Sequence, residues 1–128
     1  MVRCLSFRFA WLLAAAVLPQ VAHAQTLAID GVWGNEPGCK YARDGNYEDD
    51  TMLVLKPDSV EGYVVACEWL QVLTAKDGKQ VASGICNFEG DEGVGARTYV
   101  IAKDPTDAGL IRIFNDQGDL WEEVRKCP

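Results

Sequence analysis

Residues 62–88 read GYVVACEWLQVLTAKDGKQVASGICNF. Two arms rich in Val, Leu, Ile, Trp and Cys flank Lys76-Asp77-Gly78-Lys79, and Asp-Gly between such arms marks a β-hairpin. Cys67 and Cys86 stand at similar distances from that turn, so a disulfide between them would staple the two arms. With a strict two-residue turn at Asp77-Gly78, Cys67 faces Phe88 and Cys86 faces Trp69. The pairing is then diagonal, and a bulge is required to bring the sulfurs together.

The same grammar extends in both directions. Apolar runs of four to eight residues alternate with clusters of Gly, Asp, Asn and Pro, and no stretch sustains a helical period, which points to an antiparallel all-β chain. Expected strands cover 27–33, 51–56, 62–75, 80–88, 97–103, 110–115 and 120–126, the third long enough to be bent or split near Cys67. Turns are expected at Pro57-Asp58-Ser59, at Asp77-Gly78, over 104–109 and at Asp116-Gln117-Gly118. The segment 36–50 is polar and reads as irregular, with room for one short helical turn. About seven strands on short hairpins make a single domain over residues 25–128. A small up-and-down barrel and a small sandwich both bury the faces of such a meander, and the barrel is the preferred reading.

Residues 1–24 have the three parts of a secretory leader. Arg3 and Arg8 precede an apolar run from about Phe9 to Leu18, and Ala22-His23-Ala24 forms the small-x-small site after which cleavage is expected. The run is shorter than the roughly 20 apolar residues of a membrane span, so no membrane anchor is expected and the product is placed in the periplasm or outside the cell. Cleavage removes Cys4 and leaves Cys39, Cys67, Cys86 and Cys127. An even count in an exported chain reads as two disulfides, for which three connectivities exist. The hairpin position of Cys67 and Cys86 makes Cys67–Cys86 with Cys39–Cys127 the expected pair, the second joining the two ends of the domain.

The leader also carries two of the 12 Lys/Arg and none of the 19 Asp/Glu, so the formal net charge of −7 becomes −9. Nucleic acid and anionic lipid are disfavoured partners for such a surface, and cationic ones are favoured. The one His of the chain is His23, inside the leader. Ser-His-Asp and Cys-His nucleophilic systems and His-ligated metal sites therefore have no His to use after cleavage. The Cys spacing lacks the close pairs of a zinc site, and no cofactor or metal is expected. Carboxylates alone can hydrolyse glycosides, and Glu89, Asp91 and Glu92 form the densest acidic group, yet acids between glycines read first as a solvated loop tip. Residues 44–50 offer oxygens to calcium, but the position where an EF-hand loop needs Gly is Asp49. No catalytic residue is assigned, and the chain is not read as an enzyme.

Three partial resemblances bear on function. Gly31-Val32-Trp33 resembles the G-x-W of calycin-type barrels, and with Gly34, Asn35 and Gly38 it is similar to the first strand of avidins, which implies a small ligand in the barrel mouth against Trp33. Gly93-Val94-Gly95-Ala96-Arg97-Thr98-Tyr99 resembles the S-G-x-G-A-R-Y loop of periplasmic C-type lysozyme inhibitors, with Glu92 in place of Ser and Thr98 as an extra residue. That likeness implies a cationic protein target. Gly31, Trp33, Cys39, Cys67, Glu68, Cys86, Gly90, Glu92, Lys126 and Cys127 together resemble small exported disulfide-containing proteins of Gram-negative bacteria, which supports the disulfide frame and transfers no activity. The expectation is an exported non-catalytic binding module. Its partner is a cationic protein met through Glu89, Asp91, Glu92, Gly93, Gly95 and Arg97, or else a small ligand held calycin-fashion against Trp33. A hydrolase working on carboxylates alone is the remaining reading.

Overall fold

A computed structural model of the chain describes residues 26–128. The leader and its cleavage site lie outside the described residues. No helix among the described residues is long and apolar enough to cross a membrane. Among the described residues eight strands and one helix follow in the order β1 (Trp33–Gly34), α1 (Glu36–Asp44), β2 (Leu53–Lys56), β3 (Ser59–Gly62), β4 (Val65–Thr74), β5 (Gln80–Phe88), β6 (Val94–Lys103), β7 (Leu110–Phe114) and β8 (Leu120–Lys126). Each strand pairs antiparallel with its neighbours, and β1 pairs with β8, so the sheet closes into a barrel. Of the two architectures open to the meander, the structure is the barrel. Both expected disulfides are present, Cys39–Cys127 and Cys67–Cys86.

The central hairpin explains how Cys67 comes to face Cys86. Its loop holds three residues between Ala75 and Lys79, with Ala75 N donating to Lys79 O at 2.8 Å and Gly78 at φ 86°. That is one residue more than a two-residue turn and shifts the register once. Leu70 bulges between Trp69, opposite Gly84, and Gln71, opposite Ser83, and shifts it again. The two offsets together convert the diagonal relation into direct opposition. The bulge also resets the alternation, so Val65, Cys67 and Trp69 point inward before it and Val72 after it. Gly84 sits beneath the bulge, where a Cβ would lie 2.3 Å from Glu68 O.

Several expected boundaries differ, some by only one or two residues, as where β2 starts at Leu53 and β7 ends at Phe114. The strand expected over 62–75 starts at Val65 and bends at the Leu70 bulge near Cys67. Gly62 turns back through Tyr63-Val64 to pair with Val65 and belongs to β3, an unexpected strand that takes Ser59 from the expected turn. The aromatic and β-branched residues at Tyr63-Val64 carry no turn signal of their own. The strand expected over 27–33 shrinks to Trp33–Gly34. The residues before it plug one end of the barrel, with Leu27 buried, Leu27 N donating to Pro57 O and Ala28 N donating to Gln80 Oε1, both at 2.7 Å. Strand β6 starts three residues earlier than expected, at Val94. Within the segment expected to be irregular, α1 forms. Asn35 caps it by accepting from Gly38 N at 2.9 Å, Pro37 stands in its first turn, and Gly45 ends it in the left-handed region.

The lumen is filled by side chains. Leu55, Ile101, Ile111, Ile113, Val60 and Val124 are fully buried, and each contributes roughly 1.5–3 kcal/mol relative to exposure. Trp33 occupies the lumen toward the end plugged by Leu27, its indole N–H donating to Asp30 O at 2.9 Å. Toward the opposite end Tyr99 stacks on Trp121 at 4.9 Å and meets Trp69 edge-on at 5.9 Å. The Arg97 guanidinium lies 4.8 Å from the Phe88 ring centre at the rim.

The turn over 104–109 is tied by Asp104. Its side chain is only 7% exposed and accepts from Thr106 Oγ1, Thr106 N and Asp107 N at 2.7–2.8 Å, with Arg112 beside it. Thr106, then the backbone N–H groups and the Arg112 charge, hold this carboxyl at about 2, below its ordinary value of 3.8. The unfolded chain therefore takes up the proton first as pH falls. Stability from this group is complete above about pH 4 and is lost as pH falls toward 2. Asp104→Asn is expected to flatten the dependence of melting temperature on pH between 4 and 2, and an unchanged slope would count against it.

Candidate functional site

The hairpin between β5 and β6 turns through Glu89–Gly93, with Gly90 at φ 84° and Asp91 N donating to Phe88 O at 3.2 Å. Glu89, Asp91, Glu92 and Gly93 are exposed on this loop. Gly95 and Arg97 belong instead to β6, opposite Cys86 and Gly84. Arg97 folds back over Phe88 and donates to Ala96 O at 3.0 Å, so it caps the barrel end and does not project from the loop. Trp33 is 6% exposed and sits toward the other end of the barrel. The expected contact residues therefore separate into an acidic loop, a rim and a core plug.

The loop is joined to a surface absent from the sequence reading. Glu89 N donates to Val64 O at 2.9 Å, fixing the loop against the Tyr63-Val64 turn. Next to that turn two tyrosines converge on one carboxylate, with Tyr63 packed beside them. Tyr41, from α1, donates to Glu61 Oε1 at 2.7 Å, and Tyr47, from the segment after α1, donates to the same atom at 3.1 Å. Tyr47 stacks on Tyr41 at 4.4 Å and meets Tyr63 edge-on at 5.8 Å. The neighbouring Tyr47 hydroxyl, then the Glu61 carboxylate, push the Tyr41 hydroxyl well above its ordinary pKa, so it stays a donor. Tyr47 and Tyr63 are 52% and 47% exposed.

A groove of about 500 Å³ runs from these rings over Val64, Ala66 and Asn87 to Glu89. It continues, through the shared residues Glu61, Ala66 and Asn87, into a second of about 440 Å³ bounded by Asp58, Glu68, Leu70 and Ile85. Strand register accounts for its floor. With Cys67, Trp69, Gly84 and Cys86 turned inward, Ala66, Glu68, Ile85 and Asn87 must face out, and the bulge pushes Leu70 out beside them. Leu70 and Ile85 are exposed apolar side chains in consequence.

Electrostatics distinguish this face from the rest of the barrel. Among the described residues seven ion pairs form, and none uses Asp58, Glu61, Glu68, Glu89, Asp91 or Glu92. No Lys or Arg lines either groove. Bases stand only at the borders of this face, Lys56 opposite Ser59 and Arg97 opposite Gly84 over the Phe88 ring. A larger concavity of about 600 Å³ lies between α1 and the outer side of β7 and β8. Its cations are already engaged, Lys40 with Glu48, Arg43 with Asp44 and Arg125 with Asp107.

Among the described residues no cluster of three or more His, Cys, Asp or Glu is placed to hold a metal ion. In the segment weighed for calcium, Asp49 accepts from Thr51 N at 2.8 Å and from Thr51 Oγ1 at 2.7 Å, which closes a turn. The fold and this face define a small disulfide-closed β-barrel with an acidic, aromatic-walled outer surface. The chain matches no protein-family model, no curated protein and no solved structure.

Proposed function

We propose that the protein is an exported, non-catalytic binding module whose partner is a cationic protein. The observation that carries this reading is the unneutralised acidic face that joins the loop over 89–93 to an exposed apolar groove. Seven of the 13 acids elsewhere are paired with bases, whereas none of the six on this face is, and its charge is left for a partner to meet. The lumen is filled with aromatic and branched side chains, which favours an outer-surface contact over a small ligand held inside. Two disulfides suit the oxidising periplasm or exterior to which the leader directs the chain. The loop acids attract the partner over a Debye length of about 10 Å and set the rate of encounter.

The test is association rate against ionic strength for a panel of basic proteins that includes lysozyme. Wild type is expected to associate with at least one of them several-fold faster at low salt than at high salt. Glu89→Gln, Asp91→Asn and Glu92→Gln combined are expected to slow that association while leaving the melting temperature nearly unchanged, since exposed acids contribute little to stability. Binding to no basic protein at low salt, or equal rates for wild type and variant, would reject the reading.

A further inference from the structure

We propose that the tyrosine-walled groove beside Glu61 is the docking site for an arginine side chain presented by a loop of the basic partner. This rests on the cationic-partner reading and moves the point of tight contact from the loop tip to the groove, leaving the loop acids to steer.

Glu61 is held for such a role. Tyr41 donates to Oε1, Tyr47 shares its one hydroxyl proton between Oε1 and the Tyr41 oxygen, and among the described residues no donor reaches Oε2. The carboxylate is thus oriented on one side and open on the other. A guanidinium is planar, offers paired donors to a carboxylate and stacks on aromatic faces, so it matches a carboxylate beside two half-exposed rings better than an ammonium does. Tyr47 and Tyr63 supply those rings. A cation within about 6 Å of a ring centre is attracted by the ring's quadrupole. Val64 and Ala66 offer apolar surface for the methylene stem, and Leu70 with Ile85 extends it to a neighbouring apolar residue of the partner. Glu68 and Asp58 at one end of the groove and Glu89 at the other add negative charge with no lining base to cancel it.

Along the groove β3 is paired with both β2 and β4, and β4 with both β3 and β5 over Val65–Glu68, so a peptide strand has no edge to add to there and recognition passes through side chains on the outer face.

The experiment has two arms. In the first, the ¹⁵N-labelled protein is titrated with the peptide acetyl-Gly-Arg-Gly-amide and with its citrulline counterpart, which keeps the shape and loses the charge. Amide shifts are expected to concentrate at Tyr47, Glu61, Tyr63, Val64 and Glu89, with at least tenfold weaker binding of the citrulline peptide. Shifts confined to other surfaces, no shifts at all, or equal binding of both peptides would overturn the proposal. In the second arm, affinity for the basic protein selected by the panel is measured for Glu61→Gln, Tyr63→Ala and Tyr63→Phe. The first two are expected to weaken it about tenfold through faster dissociation, and Tyr63→Phe to retain it. Tyr63 is an exposed turn residue, so its variants test the groove even where Glu61→Gln disturbs the tyrosine cluster. A panel protein that binds all three variants like wild type would leave the cationic-partner reading standing and reject the groove. Arginine-specific shifts in the groove with no protein binder would do the reverse.

Discussion

Replacing Cys39 and Cys127 together by Ser is expected to lower the melting temperature by about 20 °C, the largest loss from any single cross-link in the molecule. The two residues are 88 apart in sequence, and in the chain-entropy model a loop of that size restricts the unfolded ensemble by about 4.5 kcal/mol. At about 4–8 °C per kcal/mol for a domain of this size, that loss accounts for the expected shift. Cys67–Cys86 spans 19 residues and is expected to contribute about 3 kcal/mol. Local structure widens the difference. Strand β1 closes the barrel with only Trp33 and Gly34, which pair with β2 on one side and β8 on the other. Cys39 lies against Gly34, and Cys127 N donates to Val32 O at 2.9 Å, so the disulfide sits on the narrowest seam of the sheet. Cys67 and Cys86, by contrast, lie within the long β4–β5 hairpin, which is also held by its backbone ladder. Thermal unfolding of the two double variants without reductant decides the order. A greater loss on removing Cys67–Cys86 would show that the seam is held by packing.

The second large effect is expected at Gly38. Glycine to alanine inside a helix ordinarily stabilises by roughly 0.5–1 kcal/mol. Here a Cβ would stand 1.9 Å from Leu53 O and 2.6 Å from Leu53 C, and neither backbone atom can swing aside. The helix would have to lift from β2. That movement strains the contacts of Asn35, whose Oδ1 accepts from Gly38 N and Leu53 N while its Nδ2 donates to Thr51 O and Glu122 Oε2. Gly38→Ala is therefore expected to destabilise the protein by about 3 kcal/mol, the upper part of the range for overpacking. It is also expected to weaken arginine-peptide binding, because α1 carries Tyr41 to Glu61. Gly45→Ala is the control. It is strained by its φ of 74° but meets nothing within 4 Å, and should cost only about 1–2 kcal/mol. Denaturant midpoints of the two variants test this, and a neutral Gly38→Ala would mean that the helix is not seated on β2.

Much of the frame was legible because its causes are local. Alternating apolar runs specified strands at 80–88 and 120–126 to the residue, and Asp77-Gly78 marked the hairpin whose arms Cys67 and Cys86 join. The helix was missed although its signals were present in order, an Asn cap, a Pro in the first turn and a Gly end. Its helical period is carried by charges, Glu36, Lys40, Arg43 and Asp44 on one face, and not by a stripe of large apolar residues, so capping chemistry was the clearer signal. The turn at Tyr63-Val64 was not legible, because those residues turn for the sake of pairing on both sides and not from preference.

The sequence by itself determined a β meander, two cross-links and an excess of acid, since alternation, turn chemistry, Cys parity and charge are properties of neighbouring residues or of simple counts. Only the tertiary structure decided where that acid is left unpaired and what surrounds it. Tyr41, Tyr47, Glu61 and Tyr63 come from a helix, the segment after it, a strand and a turn, and no spacing in the chain relates them. They meet because Gly38 lets α1 lie directly on β2, which is paired with β3, the strand that carries Glu61 and leads into Tyr63. Long-range packing therefore built the site, while local pattern built only the wall that carries it.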